Sequence, residues 1–304
     1  ISKLDKYPVL SNLDVENQKA GARVEVDTEK RNPHDFAVWI KAPENHLMKW
    51  DSPWGPSYPG WHIECSVMSQ KYLGEVFDIH TGGIDLIPTH HENEIAQSKG
   101  MCGKIPANYW MHGEFLLING GKMSKSLGNV YLLQDIVDRG YDPLVYKLFC
   151  YSIQYRKKLN FTWEGMDSAK IALDRLREAY QKHLTGTEDV AEELISKYEK
   201  DFNEAINDDL NMPVAMSVVW EVAKRTEKSK KVAELLKKFD RVLGIKIDEH
   251  KEEEIPDDIK ELLTKRVEAR KNKDWAESDK IRDIIKEKGY IVKDSKEGQT
   301  VEKC

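Results

Sequence analysis

Apolar residues recur at helical spacing from Trp61 to Leu73. Ile63, Val67, Tyr72 and Leu73 mark the stripe, and Gly74 is well placed to end it. Val76-Phe77-Asp78-Ile79-His80 then reads as a strand that closes on a turn, Thr81-Gly82-Gly83. Thr89 and Glu92 stand three apart, a capping-box signature that predicts a helix starting at His90. Strand, glycine turn and helix in this order predict α/β architecture. Trp110 to Ile118 predicts another strand, broken at Asn119-Gly120-Gly121, and Asn-Gly between apolar runs is a strong hairpin signal. Upstream, the alternation in Gly21-Ala22-Arg23-Val24-Glu25-Val26-Asp27 predicts one short strand. Pro33, Pro43, Pro53, Pro56 and Pro59 punctuate the stretch from there to Trp61, with Trp50 to Gly55 as loop.

The pattern changes near residue 165, after which long helical stripes dominate. One comprises Ile171, Leu173, Leu176, Tyr180 and Leu184, and a second Val190, Leu194, Tyr198, Phe202 and Ile206. Asn211 is placed to cap a helix with Pro213 in its first turn. Val232, Leu235, Leu236, Phe239, Val242 and Leu243 form a third stripe, ended by Gly244. The charged run Lys251 to Pro256 reads as a linker. It leads to two helices, over about 257–271 and 273–288, and a strand pair around Ile291 and Thr300.

Composition narrows the class. Apolar residues make up 40% of the 304 positions, enough for ordinary packed cores, and charged residues 33%, above the average of about 25%, which favours solvated helices. No apolar stretch approaches the ~20 residues of a membrane span, and no secretory segment opens the chain, so no membrane partner is expected. The four cysteines, Cys65, Cys102, Cys150 and Cys304, are too few and scattered for a disulfide framework, which fits a cytoplasmic setting. The net charge of −6 argues against a generally sticky nucleic-acid binder without excluding a local basic surface.

Three constellations carry candidate chemistry. His90 and Glu94, four apart on a helix, share a face and can converge on one atom; with Cys65 they offer the nitrogen, oxygen and sulfur ligands that Zn²⁺ accepts. Most such His/Glu pairs are solvated, and a lone cysteine is more often simply packed, so spacing leaves both readings open. Lys122-Met123-Ser124-Lys125-Ser126, on a glycine-hinged loop and followed by Leu127-Gly128-Asn129, suits phosphate oxygens, with lysines as mobile charges and hydroxyls as neutral donors. At a strand end, Gly82 and Gly83 let a ligand approach the backbone, and Asp85 can accept from ribose hydroxyls; a simple tight turn explains the same residues.

Gly60-Trp61-His62-Ile63-Glu64-Cys65-Ser66, then His80-Thr81-Gly82-Gly83-Ile84-Asp85-Leu86 with His90-His91-Glu92-Asn93-Glu94, then Lys122 to Ser126, resemble in that order the cysteinyl-tRNA synthetases, a family of class I aminoacyl-tRNA synthetases. The resemblance runs from Gly21-Ala22-Arg23-Val24 to Lys273-Asp274-Trp275-Ala276. It implies the second half of a Rossmann-like nucleotide-binding domain, then a helical bundle and a small C-terminal anticodon-recognition unit. The implied divisions are 1–50 for the end of a connective insertion and 51–108 for the second half of the catalytic domain. They continue with 109–165 for a stem-contact region bearing the lysine loop, 166–250 for the bundle and 251–304 for the anticodon unit.

The resemblance also implies the activity: ATP-dependent activation of L-cysteine to cysteinyl-adenylate, then transfer to tRNA(Cys), with ATP and Mg²⁺ as substrate. Zinc, one per chain, falls to Cys65, His90 and Glu94, where thiolate affinity would discriminate cysteine from serine. Trp61 is expected to line the amino-acid pocket with His80 and His91 near it, although either histidine can equally be a packed structural residue. Lys125 and, more weakly, Lys122 are expected on the phosphates, and Asp85 with Gly82 and Gly83 on the adenosine. A monomer is expected.

Two family features have no counterpart. No histidine lies in a His-x-Gly-His-like signature, and no cysteine precedes Cys65 to supply a fourth zinc ligand. The chain thus resembles the carboxyl-terminal two-thirds of a synthetase, agrees in this with a start at Ile1 rather than methionine, and is expected to be inactive by itself. Two rival readings are a mycothiol-pathway ligase joining cysteine to an amino-sugar, and a non-catalytic RNA-binding fragment. The segment Ile259 to Val301 argues against the first, and Cys65, His90, Glu94 and Lys125 together argue against the second.

Overall fold

A computed structural model describes residues 1–11, 30–32, 34–249, 256–295 and 298–303. The strand predicted over 21–27 and most of the linker predicted over 251–256 lie outside the described residues. The chain divides into two compact units, Ile1–Asp248 and Glu249–Cys304.

In the first unit a short antiparallel pair, β1 (Trp39–Lys41) and β2 (Ser57–Pro59), was not legible in the proline-punctuated sequence. Helix α1 spans Trp61–Leu73 and stops at Gly74, whose φ of 92° suits glycine, as the apolar spacing predicted. Strand β3 (Phe77–Gly83) pairs in parallel with β4 (Ala107–Gly113). Helix α2 (Glu92–Cys102) joins them, making a βαβ unit.

Two expectations need correction here. The glycines Gly82 and Gly83 do not form a turn: both stay in β3, paired with His112 and Gly113. Thr89 does not cap a helix either. Helical turns already run through Ile84–Leu86 and Ile87–His91 into α2, so no free amino terminus exists at residue 90 for a side chain to satisfy.

The stretch read as one strand from 110 to 118 is two, β4 and then β5 (Leu116–Ile118), because the chain leaves one sheet at Glu114 and enters another. Strand β5 turns through Asn119 and Gly120, with φ of 49° and 77°, into β6 (Gly121–Lys122). Both central residues are left-handed, as the Asn-Gly hairpin rule requires. Strand β7 (Leu159–Phe161) completes this sheet.

Helices α3 (Leu133–Asp138) and α4 (Pro143–Cys150) lead into the bundle. It comprises α5 (Trp163–Leu184), α6 (Glu192–Asn207), α7 (Met212–Ala223) and α8 (Lys230–Leu243). One continuous apolar core runs from Ile118 in β5 through these helices to Ile247. The predicted stripes are right in place but rotated at their edges: Ile171, Leu184 and Val242 are exposed, while Met166, Ala169 and Ala233 are buried. Asn211 precedes α7 as expected, although its side chain makes no capping hydrogen bond.

The second unit contains α9 (Asp257–Lys271), α10 (Trp275–Glu287) and an antiparallel hairpin of β8 (Tyr290–Ser295) and β9 (Gly298–Lys303), matching the predicted elements. Ile259, Ile281 and Ile285 form its interior. Arg266, almost fully buried, donates to both Asp294 oxygens at 2.9 Å and to Gln299 at 2.6 Å. Among the described residues no helix is long and apolar enough to cross a membrane.

Candidate functional site

Strand alternation builds the floor of the site. His80 and Gly82 stand two apart on β3, and their register partners Trp110 and His112 stand two apart on β4, so all four share one face. The turn Ile87–His91 and the start of α2 cover that face and bury His90, His91, Glu92, Asn93 and Glu94. A Cβ on Gly82 would come within 2.7 Å of His91 Cε1, so glycine there makes room for the imidazole. A Cβ on Gly83 would collide with the Asp85 carboxylate. The space these glycines leave is thus occupied by the chain's own side chains. Asp85 itself is exposed in the first helical turn beyond β3, at the carboxyl end where ligands of α/β sheets bind.

Ligand atoms of Cys65, His90 and Glu94 lie within 4.8 Å of one another, and those of His80, His91 and Glu94 do so as well. Glu94 is the common member, only 2% exposed. Its Oε1 stands 2.8 Å from His90 Nε2, and its Oε2 stands 3.0 Å from His80 Nε2. Yet Glu94 Oε1 and His80 Nε2 have no hydrogen-bond partner, because the groups are close but misaligned. A buried carboxylate oxygen without a donor is costly. A cation among Cys65 Sγ, His90 Nε2 and Glu94 Oε1 would satisfy it, and a sulfur, nitrogen and oxygen set is one that zinc accepts. The residues present therefore fit that metal.

The other ring nitrogen of His90 is also engaged: Nδ1 lies 2.9 Å from His62 Nδ1. One of the two must donate and the other accept, so at least one imidazole is neutral. Burial pushes His62, His90, His91 and His112 below the ordinary histidine value, and His91 falls to about 3 under burial and the nearby His80, His112 and His90. Burial thus disfavours their charged forms, which lessens the repulsion that would oppose a metal cation. The Cys65 thiol is pushed up by burial and by Glu94 and Glu64, a penalty that coordination to a cation would reverse.

Trp61, 60% exposed, lays its ring 4.2 Å from that of His90 and forms an open wall of the site. Trp110 packs edge-on against His80 at 4.8 Å and contacts His91 at 5.1 Å. His91 Nδ1 lies 2.8 Å from His112 Nε2. Neither His62 nor His112 stood out in the sequence as a site residue. The signal for His112 was available in the two-residue spacing from Trp110, whereas His62 needed the packing of α1 on α2, fixed by Ser66 Oγ donating to Gln97 at 2.6 Å.

The lysine loop is a separate structure. Lys122 ends β6, Lys125 opens a single helical turn (Lys125–Leu127), and both side chains are exposed. Asn129 ties the loop to itself: its Oδ1 accepts from Ser124 N at 2.8 Å and its Nδ2 donates to Lys122 O at 2.9 Å. Among the described residues no hydrogen bond or ion pair joins this loop to the histidine cluster. The structure thus brings Cys65, His80, His90, His91, Glu94 and Trp61 together and leaves Lys122 and Lys125 on their own tethered loop.

The family model for the class I (C) tRNA synthetase catalytic domain matches residues 1–171. A DALR domain matches 201–248, and a cysteinyl-tRNA ligase anticodon binding domain matches 252–301. Cysteine–tRNA ligase 1 of Burkholderia lata is 43% identical over 98% of this chain and 63% of its own length. The cysteine–tRNA ligase of Treponema denticola is 42% identical over 97% of this chain and 66% of its own, and that of Bacillus cereus 42% identical over 97% and 67%. The chain spans about two thirds of the length of the curated relatives it matches. A leucyl enzyme from Agrobacterium radiobacter, solved with tRNA, overlaps 65% of this chain and 32% of its own at 15% identity and a TM-score of 0.49, too slight a likeness to bear on the site.

Proposed function

We propose that this chain, which belongs to the cysteinyl-tRNA synthetase family, contributes the amino-acid and phosphate-binding parts of a cysteine–tRNA ligase. The observation that carries the reading is the set of half-buried Cys65 with buried His90 and Glu94, and its donorless Glu94 oxygen. Bound there, zinc would supply a soft Lewis-acid site that prefers the thiolate of cysteine to the hydroxyl of serine. His62 holds the His90 ring through Nδ1 and keeps Nε2 turned toward Glu94. Trp61 walls the amino-acid pocket, while His80 and His91, braced by Trp110 and His112, close its floor.

ATP would lie at the carboxyl ends of β3 and β4, with Asp85 accepting from the ribose hydroxyls. Gly82 and Gly83 contribute by the room they give His91 and Asp85. Lys125, assisted by Lys122, offsets charge on the phosphates, with Mg²⁺ accompanying the nucleotide, while the cysteine carboxylate attacks the α-phosphate in line and pyrophosphate leaves. The terminal ribose hydroxyl of tRNA(Cys) then attacks the activated carbonyl and AMP departs. In this scheme residues 1–50 end a connective insertion, 51–108 and 109–165 bear the chemistry, 166–250 meet the body of the tRNA and 251–304 read its anticodon, largely through phosphate and shape contacts.

The test is charging of a tRNA(Cys) transcript with cysteine by the full-length protein. Cysteinyl-tRNA is the expected product. Transfer of cysteine to an amino-sugar acceptor, with no charging of tRNA, would replace this reading by the mycothiol-pathway one.

A further inference from the structure

The turn between α6 and α7 holds two consecutive non-glycine residues in left-handed backbone, Asp209 with φ of 51° and Leu210 with φ of 53°. Helix ends that need this conformation ordinarily take glycine, and a leucine there is a conformational outlier. The backbone bonds of the turn, Leu210 N to Ile206 O at 3.1 Å and Asn211 N to Ala205 O at 3.0 Å, would form equally well with glycine. Aspartate tolerates this backbone, and here its carboxylate reaches beyond the turn.

What it serves is the loop after α4. Tyr155 donates its hydroxyl to Asp209 Oδ1 at 2.6 Å, Arg156 Nε lies 2.6 Å from Oδ2, and Gln154 Nε2 donates to the same carboxylate at 3.2 Å. Three successive residues are thus gathered on one carboxylate. The same loop is laced to the carboxyl end of β4: Glu114 N–H donates to Tyr155 O at 2.9 Å, and Leu159 N–H to Phe115 O. His112 stands two residues before Glu114, with His91 against it. The anchored segment is Gln154-Tyr155-Arg156, between the bundle and the floor of the amino-acid pocket.

We propose that Asp209 is a positioning residue for the aminoacylation centre, a strut from the α6–α7 turn that fixes residues 154–156 and through them the carboxyl end of β4 beside His112. The catalytic part of this rests on the ligase reading above. An exposed ion pair alone contributes little to stability. The strut acts by orientation, which misplaced by a fraction of an ångström is felt in turnover.

The experiment compares wild type, Asp209→Gly and Asp209→Asn in the full-length protein. Glycine removes the carboxylate while relieving the left-handed backbone, so its melting temperature stays equal or rises. Its kcat for tRNA charging falls about tenfold or more with KM for cysteine and ATP unchanged. Asparagine, which tolerates the backbone and keeps an acceptor for Tyr155, retains kcat within about threefold of wild type. Hydrogen–deuterium exchange at the Glu114 amide accelerates in the glycine variant. Wild-type kcat in Asp209→Gly, or a loss of kcat matched by a fall in melting temperature and reversed on cooling, overturns the proposal. A wild type that charges no tRNA sinks the ligase reading instead, and unchanged Glu114 exchange in Asp209→Gly then sinks the strut separately.

Discussion

The histidine cluster around Glu94 and the lysine loop at 122–129 meet opposite demands. In the cluster, charged and polar side chains are buried in fixed positions, and the cost shows in lowered histidine pKa values and a carboxylate oxygen without a donor. In the loop, both lysines stay in solvent while the Asn129 side-chain amide ties the backbone to itself. A site that must distinguish a thiol from a hydroxyl has to be rigid and dehydrated. A loop that must follow phosphates through bond-making needs mobile charge with a defined resting place.

Changes in the two regions should accordingly separate. The largest effect is expected from Glu94→Gln in the full-length protein. It removes the carboxylate shared by both candidate ligand groups, so elemental analysis should find bound zinc lost and cysteine-dependent pyrophosphate exchange down by roughly 10³-fold or more. Lys125→Ala should lower exchange by about 10²–10³-fold while zinc content stays at wild-type level. Loss of zinc in that variant would break the separation. His62→Gln should weaken zinc retention about 10–100-fold in chelator competition, since it frees the His90 ring to rotate. Asn129→Ala should slow exchange by about tenfold with zinc unchanged, and limited proteolysis should cut faster near residue 125.

The smallest effect lies outside both regions. Asp294, between Arg266 and Arg270, is held down at about 2 chiefly by the hydrogen bond from Arg266. Its ordinary value is near 3.9, so its contribution to stability is complete above about pH 4 and fades as pH falls toward 2. The melting temperature of the second unit should drop over that window, and Asp294→Asn should flatten the drop.

Local signals told much of this, and the gaps have physical causes. The stop at Gly74 and the Asn119-Gly120 turn are dictated by backbone conformations that few residues adopt, so the sequence states them outright. The helices after residue 165 are long enough for periodicity to average over errors, although Ile171 and Val242 show that it does not say which edge of a stripe meets solvent. Gly82 looked like turn punctuation because its reason, the His91 ring nine residues later, is a tertiary contact. Thr89 looked like a cap because nothing local reveals that helical turns arrive from Ile84. Within the site, Cys65, His90 and Glu94 were legible as a set, and the structure brings them together. His62 meets His90, and Asp209 meets Gln154, Tyr155 and Arg156, across long stretches of chain, and such contacts leave no mark in local spacing, whereas His112 was signalled by its place two residues from Trp110.

The central claim is that a thiolate-selecting metal site defines the substrate. It is tested most directly by cysteine- and serine-dependent pyrophosphate exchange on the full-length protein, before and after zinc is stripped by a chelator. Exchange with cysteine should exceed that with serine by about 10⁴-fold, collapse on stripping and return when zinc is restored. Exchange that persists in the stripped protein, or that serine supports as well as cysteine, would contradict the account.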